Sequence, residues 1–215
     1  MDRTIMLSRL YAAREEWDRG ADAGMVLDEL IQDLQQEERE ATYKMIGGKP
    51  KTLATMKKII KNAEKNGSAI NGAVQYENFS YITDGFRAIR IHGDVPIQKC
   101  TKSGSLGKSL HDIMERAIEE SNSGDIAPNY AEVKQNFEQE KAHRKANGIK
   151  TDRYNPILFQ VNKNTWVNAQ YLLEMMEALP GCEIYAVESD LPCSRKPIYF
   201  KSDAGDGVLL PVNHT

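Results

Sequence analysis

A helical pattern together with three strand-like runs occurs twice along this chain. The first helix is predicted over 52–65 and the second over 167–179, roughly 115 residues further on. The predicted strands are 69–76, 79–83 and 86–92 in the first set, and 183–188, 197–202 and 207–212 in the second, which a strand at 157–161 precedes. Two such units can form one domain if their sheets share an edge and their helices share a face. The sequence therefore predicts an α+β fold made of two helix-plus-antiparallel-strands halves.

Local signals place the starts of both helices and one hairpin. Thr52 and Asn168 are the predicted N-caps, because their side-chain oxygens can accept hydrogen bonds from the first free N–H groups of a helix. Asp84-Gly85 lies between two apolar runs, which is typical of a two-residue hairpin. A type I′ turn, with positive φ at both residues, is expected there.

Further helices are predicted outside these two halves. Two amphipathic helices fill residues 1–46, and Gly47-Gly48-Lys49-Pro50 marks a boundary after them. Residues 105–148 also have helical periodicity. We therefore divide the chain into an N-terminal helical segment, 1–48, and an α+β domain, 49–215, with a helical insertion at about 105–148.

Composition and charge narrow the class of protein. The formal net charge is −3, so the overall charge gives no sign of a nucleic-acid-binding protein. The three cysteines, Cys100, Cys182 and Cys193, are far apart and lack metal-binding spacing, which favours a reducing compartment. There is no signal-peptide pattern and no apolar run long enough to span a membrane. We expect a cytoplasmic protein with no membrane partner and no cofactor.

Several short segments, in this order, resemble the bacterial DNA polymerase III β sliding clamp, the processivity factor. They are "TLATMKKIIKNAEK" followed by the "TDGFR" hairpin, and "VNAQYLLEMMEAL" followed by the final "GVLLPV". They cover about half of the chain. The resemblance implies a DNA-clamp-like domain whose helices line a DNA hole and whose sheet lies outside. It implies a non-enzymatic replication accessory or interaction module. The implied partners are duplex DNA, a polymerase or other replication protein bound through a linear peptide, and further copies of the chain.

The resemblance also implies a peptide-binding pocket at the hairpin and the C-terminal strand. Its two walls would be formed by Thr83, Gly85, Phe86 and Arg87 on one side and Leu210, Pro211 and Val212 on the other. An apolar groove with a guanidinium at its rim suits a peptide that carries Leu or Phe near a carboxylate. The alternative is that Asp84-Gly85 is only a turn and Arg87 only a solvated strand residue.

The same resemblance implies a DNA-facing helix. Its candidate residues are Lys57, Lys58, Lys61 and Lys65, which lie on one side of the first helix and could contribute a salt-sensitive attraction to phosphates. The second helix instead carries Gln170, Glu174 and Glu177 among its polar positions. The alternative is an ordinary solvated lysine face.

The chain departs from the clamp pattern in ways that restrict the comparison. Clamp subunits have three domains, and this chain has room for one, so a ring would need more subunits. Phe86 stands where the family has His, and Asn213-His214-Thr215 replaces an Arg-ending tail. A small, phage-derived relative that keeps the fold would have this pattern.

Two other functions remain as alternatives. Gly107-Lys108-Ser109 before a helix resembles the end of a P-loop, which would bind a nucleotide. The earlier glycine of that motif falls on Lys102. No histidine, serine or cysteine pattern indicates a catalytic or metal site, so we predict that the chain is not an enzyme. The second alternative is a clamp fold that serves only as a scaffold.

Overall fold

The computed structural model describes residues 3–19, 24–45, 48–101, 104–121, 125–126, 129–152, 154–187 and 196–213. The chain forms two compact units. The first comprises Met1–Gly48 with Val95–Ile97, and the second comprises Lys49–Asp94 with Gln98–Thr215. No helix in the described ranges is both long and apolar enough to cross a membrane.

The first unit is a helical hairpin. Its helices are α1 (Arg3–Asp18) and α2 (Gly24–Met45), and they contact each other. The short connection between them makes the two helices antiparallel. An ion pair joins Arg9 of α1 to Asp33 of α2.

The second unit contains four helices and nine strands in the described residues. In chain order they are α3 (Pro50–Lys65), β1 (Val74–Tyr76), β2 (Phe79–Thr83), β3 (Arg87–His92), α4 (Gly104–Ser121), β4 (Asp125–Ile126), α5 (Tyr130–Ala146), β5 (Leu158–Asn162), β6 (Thr165–Asn168), α6 (Ala169–Ala178), β7 (Glu183–Ala186), β8 (Ile198–Ser202) and β9 (Gly205–Leu209). The predicted α+β class is confirmed.

The main sheet joins strands from the two predicted halves. Its order is β1-β2-β3-β9-β8-β7, and the two-residue strand β4 extends it beyond β7. All neighbouring strands are antiparallel. The halves meet where β3 pairs with β9, with Arg87 opposite Leu209 and Arg90 opposite Asp206. A separate two-stranded sheet is formed by β5 and β6.

Helices cover both faces of the main sheet. On one face α3 contacts α6, and these helices also contact β2 and β9. Met56, Ile59, Leu172 and Met175 are fully buried there. On the other face α4 contacts β1, β8 and β9, and its residues Leu110, Met114 and Ala117 belong to a buried cluster with Val74, Tyr81, Ala88, Cys100, Tyr199 and Val208. The apolar stripes found in the sequence therefore bury both faces of one sheet.

One of the two predicted helix caps is confirmed, and the other is wrong. Asn168 caps α6, and its side chain accepts hydrogen bonds from the backbone N–H groups of Gln170 and Tyr171. Thr52 is not an N-cap, because α3 already begins at Pro50, a residue well suited to the first helical turn. The buried Thr52 hydroxyl instead donates a hydrogen bond to the carbonyl of Ala178, and so it joins α3 to the end of α6.

Two predicted strands differ from the observed strands by three residues or more at one end. The predicted strand 69–76 is regular only over β1, because its first part contacts another loop. Gly72 packs so closely there that a Cβ atom would lie 2.1 Å from the carbonyl oxygen of Gln98. The predicted strand 207–212 begins earlier, at Gly205, and ends at Leu209. Residues 210–213 follow the end of β9 without regular secondary structure.

Candidate functional site

The loop between β2 and β3 is wider than the predicted two-residue turn. Thr83 pairs with Ala88, so four residues lie between the paired positions. Only Gly85 in this loop has a positive φ, +88°, whereas a type I′ turn needs two consecutive positive values. The prediction of a type I′ turn is therefore wrong, although the hairpin itself is confirmed.

Side-chain hydrogen bonds explain the wider loop. The Asp84 carboxylate accepts hydrogen bonds from the backbone N–H groups of Phe86, at 3.1 Å, and Arg87, at 3.2 Å. The Thr83 hydroxyl accepts from the N–H of Gly85 and donates to the carbonyl of Arg87, at 2.7 Å. These side chains satisfy the loop backbone locally, as Asp and Thr commonly do in turns. Both side chains are buried beneath the loop.

Arg87 lies inside the second unit and not at the rim of a groove. The side chain is fully buried, with Nε 3.2 Å from Oδ2 of Asp84 and Nη1 2.6 Å from Oε2 of Glu174. Its guanidinium carbon lies 4.2 Å from the ring centre of Tyr171. Both sequence interpretations of Arg87, as an exposed pocket residue and as a solvated strand residue, are wrong. The reason is that Arg87 shares a sheet face with Ile89, which the helices cover.

Glu174 of α6 is the centre of this buried polar network. Besides Arg87, its carboxylate contacts Nζ of Lys58 at 2.6 Å and accepts a hydrogen bond from the Gln170 amide at 2.8 Å. Burial by itself would raise the pKa of Glu174, but the Arg87 charge and the hydrogen bonds from Lys58 and Gln170 outweigh it, so this pKa lies below its usual value. The network therefore holds an ionised carboxylate between α3, α6 and the β2–β3 loop.

The structure brings the hairpin loop and the C-terminal segment together. The backbone N–H of Leu210 donates to the carbonyl of Phe86 at 2.8 Å, and that of Val212 donates to the carbonyl of Trp166 at 2.7 Å. Phe86 and Leu210 are 39% and 40% exposed, whereas Pro211 and Val212 are half-buried. We call Phe86, Tyr171, Leu210, Pro211 and Val212 the hairpin–C-terminal surface.

Tyr171 links this apolar surface to the buried network below it. Its ring centre lies 6.3 Å from that of Phe86, and Arg87 packs against the same ring. Of the predicted pocket residues, Phe86 and residues 210–212 are at the surface, and Gly85 is exposed at the loop tip. Thr83 and Arg87 support the loop from below. The result is a half-exposed apolar surface on a rigidly held loop.

The four predicted DNA-facing lysines are all exposed on α3. Lys58 is paired with Glu174, and α6, which lies next to α3, carries no cation among its described residues. On its other side α6 contacts α5, where the Tyr130 hydroxyl donates to Glu177 at 2.6 Å and Val133 is buried. The basic side of α3 therefore adjoins an acidic helix. The two helices do not form an isolated inner layer, because α5 packs against α6.

The P-loop alternative does not agree with the structure. Gly107, Lys108 and Ser109 lie within α4 and not in a loop before it. A Cβ atom on Gly107 would lie 2.9 Å from Cβ of Tyr76, so this glycine is needed for close packing of α4 on β1. The Ser109 hydroxyl donates to the carbonyl of Ser105, as in an ordinary helix. Lys108 and Ser109 lie past the first four residues of α4, so their backbone N–H groups are used within the helix and cannot surround a phosphate.

Sequence reasoning missed Glu174 and Tyr171 as partners of Arg87. One signal was present: strand alternation places Arg87 on the same face as Ile89 and Ile91, which indicates burial and hence a buried counter-ion. The identity of that counter-ion depends on a helix 87 residues away, and no local pattern shows it. No group of three or more His, Cys, Asp or Glu residues in the described part of the chain could hold a metal ion.

Comparisons with protein-family models, with curated protein sequences and with solved structures found no match to this chain. The clamp resemblance therefore depends on the sequence segments described above.

Proposed function

We propose that this chain is a non-enzymatic, DNA-clamp-like interaction module that captures a linear peptide on the hairpin–C-terminal surface. The peptide would belong to a polymerase or another replication protein. The observation that carries the proposal is the hydrogen bond between the backbones of Leu210 and Phe86, which places two distant segments of the sequence in one apolar surface. The sheet shared by two helix-plus-strands halves supports the clamp-like part of the proposal.

The chemistry of this surface favours apolar anchors in the peptide. Phe86 and Leu210 offer exposed apolar area, and Tyr171 offers part of an aromatic ring beside them. Arg87 is already paired with Glu174 and Asp84, so its charge is not available to a peptide carboxylate. We therefore expect peptides to be selected by Leu and Phe side chains, with no requirement for an acidic residue near them.

The test is binding of labelled synthetic peptides by fluorescence anisotropy. One set carries a Leu-Phe pair in varied flanking sequence, and a matched set carries Ala-Ala instead. We expect binding of the Leu-Phe set only, weakened about tenfold or more by Phe86→Ala and by Leu210→Ala, as for central apolar contacts of an interface. Ile113→Ala is the control, because Ile113 is similarly exposed but lies on α4, across the sheet.

Three results would contradict the peptide proposal. Equal binding of both peptide sets would show that no apolar anchor is recognised. Equal loss of binding in Phe86→Ala and Ile113→Ala would show a nonspecific effect. Absence of any binding by the Leu-Phe set would favour the alternative that the fold serves only as a scaffold.

Encircling of duplex DNA is a second candidate function. The observation in its favour is that Lys57, Lys58, Lys61 and Lys65 are all exposed on one helix. Glu174 and Glu177 on the adjacent α6 argue against a uniformly basic lining of a DNA hole. A clamp ring would need several copies of this chain, because each supplies one clamp-like domain.

Retention on circular DNA tests this candidate directly. A ring would sediment with nicked circular duplex and be released when the circle is linearised. Lys57→Glu with Lys61→Glu should abolish retention, whereas Lys163→Glu with Lys201→Glu, also at exposed positions, should not. Sedimentation independent of circularity would exclude sliding. Absence of DNA binding would leave peptide binding as the remaining proposal.

A further inference from the structure

The N-terminal helical hairpin exposes much more apolar surface than the rest of the described chain. Of fourteen exposed large apolar side chains in the described residues, nine lie in α1 and α2. Trp17 and Met25 are the most exposed of the nine, at 71% and 73%. Among the hairpin residues whose burial the structure describes, the buried apolar ones are Ala13, Leu30 and Tyr43. Contiguous exposed apolar surface of this kind marks an interaction site.

Most of these exposed side chains lie on one side of the hairpin. We call this side the apolar face; it consists of Leu7, Leu10, Tyr11 and Trp17 of α1 and Leu27, Ile31 and Leu34 of α2. Within each helix these positions follow the three- and four-residue spacing of a single stripe. The contact between the two helices is made by other positions, including the Arg9–Asp33 ion pair and the buried Ala13 and Leu30.

Helical geometry places the two stripes together. Successive residues of a helix are about 100° apart around its axis. When each helix is viewed from its N-terminus, the apolar stripe is rotated in the same direction from the positions that contact the other helix. Because the helices are antiparallel, equal rotation brings both stripes to the same side of the hairpin. The apolar face is therefore continuous across α1 and α2.

We propose that a second copy of this chain covers the apolar face, so that two hairpins form an intermolecular four-helix bundle. The seven side chains expose between 38% and 71% of their surfaces. Because an aromatic side chain offers about 150–250 Å² and an aliphatic one somewhat less, the exposed parts of these side chains sum to roughly 700 Å² per hairpin. A stable interface buries about 800 Å² per partner. The face thus has the area that a dimer of such hairpins needs.

The charges of the two helices favour one arrangement of the bundle. Residues 3–14 of α1 carry three arginines and no acidic residue, its last turn carries Glu15, Glu16 and Asp18, and the whole of α2 carries six acidic residues against two basic ones. Packing α1 of one copy against α2 of its partner brings the arginines of α1 near the acidic residues of α2, whereas the alternative two-fold packing sets the net-negative α2 helices of the two copies against each other. In this two-fold arrangement the connections of both hairpins lie at the same end of the bundle.

The second unit offers no comparable surface of its own. Its five exposed large apolar side chains in the described residues are divided among three places: Phe86 and Leu210 are neighbours, Ile149 and Tyr154 lie in the connection between α5 and β5, and Ile113 lies on α4. Self-association through α1 and α2 is therefore better supported than covering of the apolar face by another part of the same chain. This inference does not depend on the peptide or DNA proposals.

The test is sedimentation equilibrium of the full-length chain. We expect a dimer whose dissociation constant increases about a hundredfold or more in the double variant Leu10→Glu with Ile31→Glu, because each copy would bury two carboxylates. The control is Ser8→Glu with Gln32→Glu, which adds the same charges at exposed positions outside the apolar face. Leu10→Ala with Ile31→Ala provides a milder variant that preserves helix propensity. Circular dichroism checks that helix content is unchanged.

Salt dependence tests the arrangement of the helices. The dissociation constant should rise with sodium chloride, because screening weakens the attraction between α1 and the partner's α2. A dissociation constant that does not rise with salt concentration would overturn the packing of α1 against the partner's α2. A wild-type chain that stays monomeric at high concentration, or a dimer that survives both apolar-face variants, would overturn the proposal as a whole.

Discussion

Nη1 of Arg87 lies 2.6 Å from Oε2 of Glu174, and both side chains are shielded from solvent. This ion pair joins the β2–β3 hairpin to α6. Asp84 approaches the same guanidinium from within the loop, and Tyr171 packs against it. The loop that presents Phe86 is consequently fixed by a helix whose sequence lies far from it.

Glu174→Gln should destabilise the fold by about 3 kcal/mol, as expected when one partner of a buried ion pair is removed. The Arg87 charge would remain buried with only Asp84 beside it. The free energy of unfolding in urea measures the effect. Glu138→Gln, at an exposed site on α5, is the matched control and should change stability by less than about 0.5 kcal/mol. Similar effects of both variants would contradict the role given to Glu174.

Acid should weaken the fold through the same carboxylate. The pKa of Glu174 is lower in the folded state than in the unfolded state, so its contribution is complete above the unfolded-state value of about 4.3. It is lost as the pH falls through the lower folded-state pKa. The stability difference between the wild-type chain and Glu174→Gln should therefore shrink with acidification below that value. Urea unfolding over a pH series measures it, and a difference independent of pH would contradict the lowered pKa.

Asn168→Ala should cost about 1 kcal/mol of stability, the usual effect of losing a side-chain N-cap. The N–H groups of Gln170 and Tyr171 would lose their acceptor. Asn168→Ser is the control, because serine can make the same hydrogen bonds and should be nearly neutral. Thermal unfolding of the two variants compares them, and equal losses would show that Asn168 acts through another contact.

Gly205→Ala should destabilise the contact between the two halves of the sheet by about 1–3 kcal/mol. Gly205 has a φ of +140°, and a Cβ atom there would lie 2.4 Å from the carbonyl oxygen of Arg90. Gly104→Ala is the control, since a Cβ atom at Gly104 would meet nothing within 4 Å. Urea unfolding measures both. A neutral Gly205→Ala would show that β9 can shift relative to β3 without cost.

The positions of most strands and helices could be predicted from the sequence, because local periodicity determines them. The alternation of Ile89 and Ile91 predicted β3, and Asn168 before an apolar helical run predicted the start of α6. Thr52 was misassigned because a proline two residues earlier starts the helix sooner. Errors of this kind concern element ends, where several residues compete for the same role.

Tertiary partners could not be predicted in the same way. Arg87 is buried because Glu174 and Asp84 compensate its charge, and only the folded arrangement brings Glu174 near it. The contact of α5 with α6 likewise depends on how a helical insertion folds back, through pairs such as Tyr130 and Glu177. These are properties of packing between distant segments, and periodicity within one segment carries no information about them.

The pairing of β3 with β9 has a consequence for the folding of the chain during its synthesis. Arg90 and its partner Asp206 are separated by 116 positions. At a synthesis rate of about 5–20 residues per second, the edge of β3 has no pairing strand for roughly ten seconds after it leaves the ribosome. An unpaired strand edge is a site for association with other chains. We therefore expect cotranslational folding of this protein to depend on early packing of α3 against β2, which protects the first half of the sheet until the second arrives.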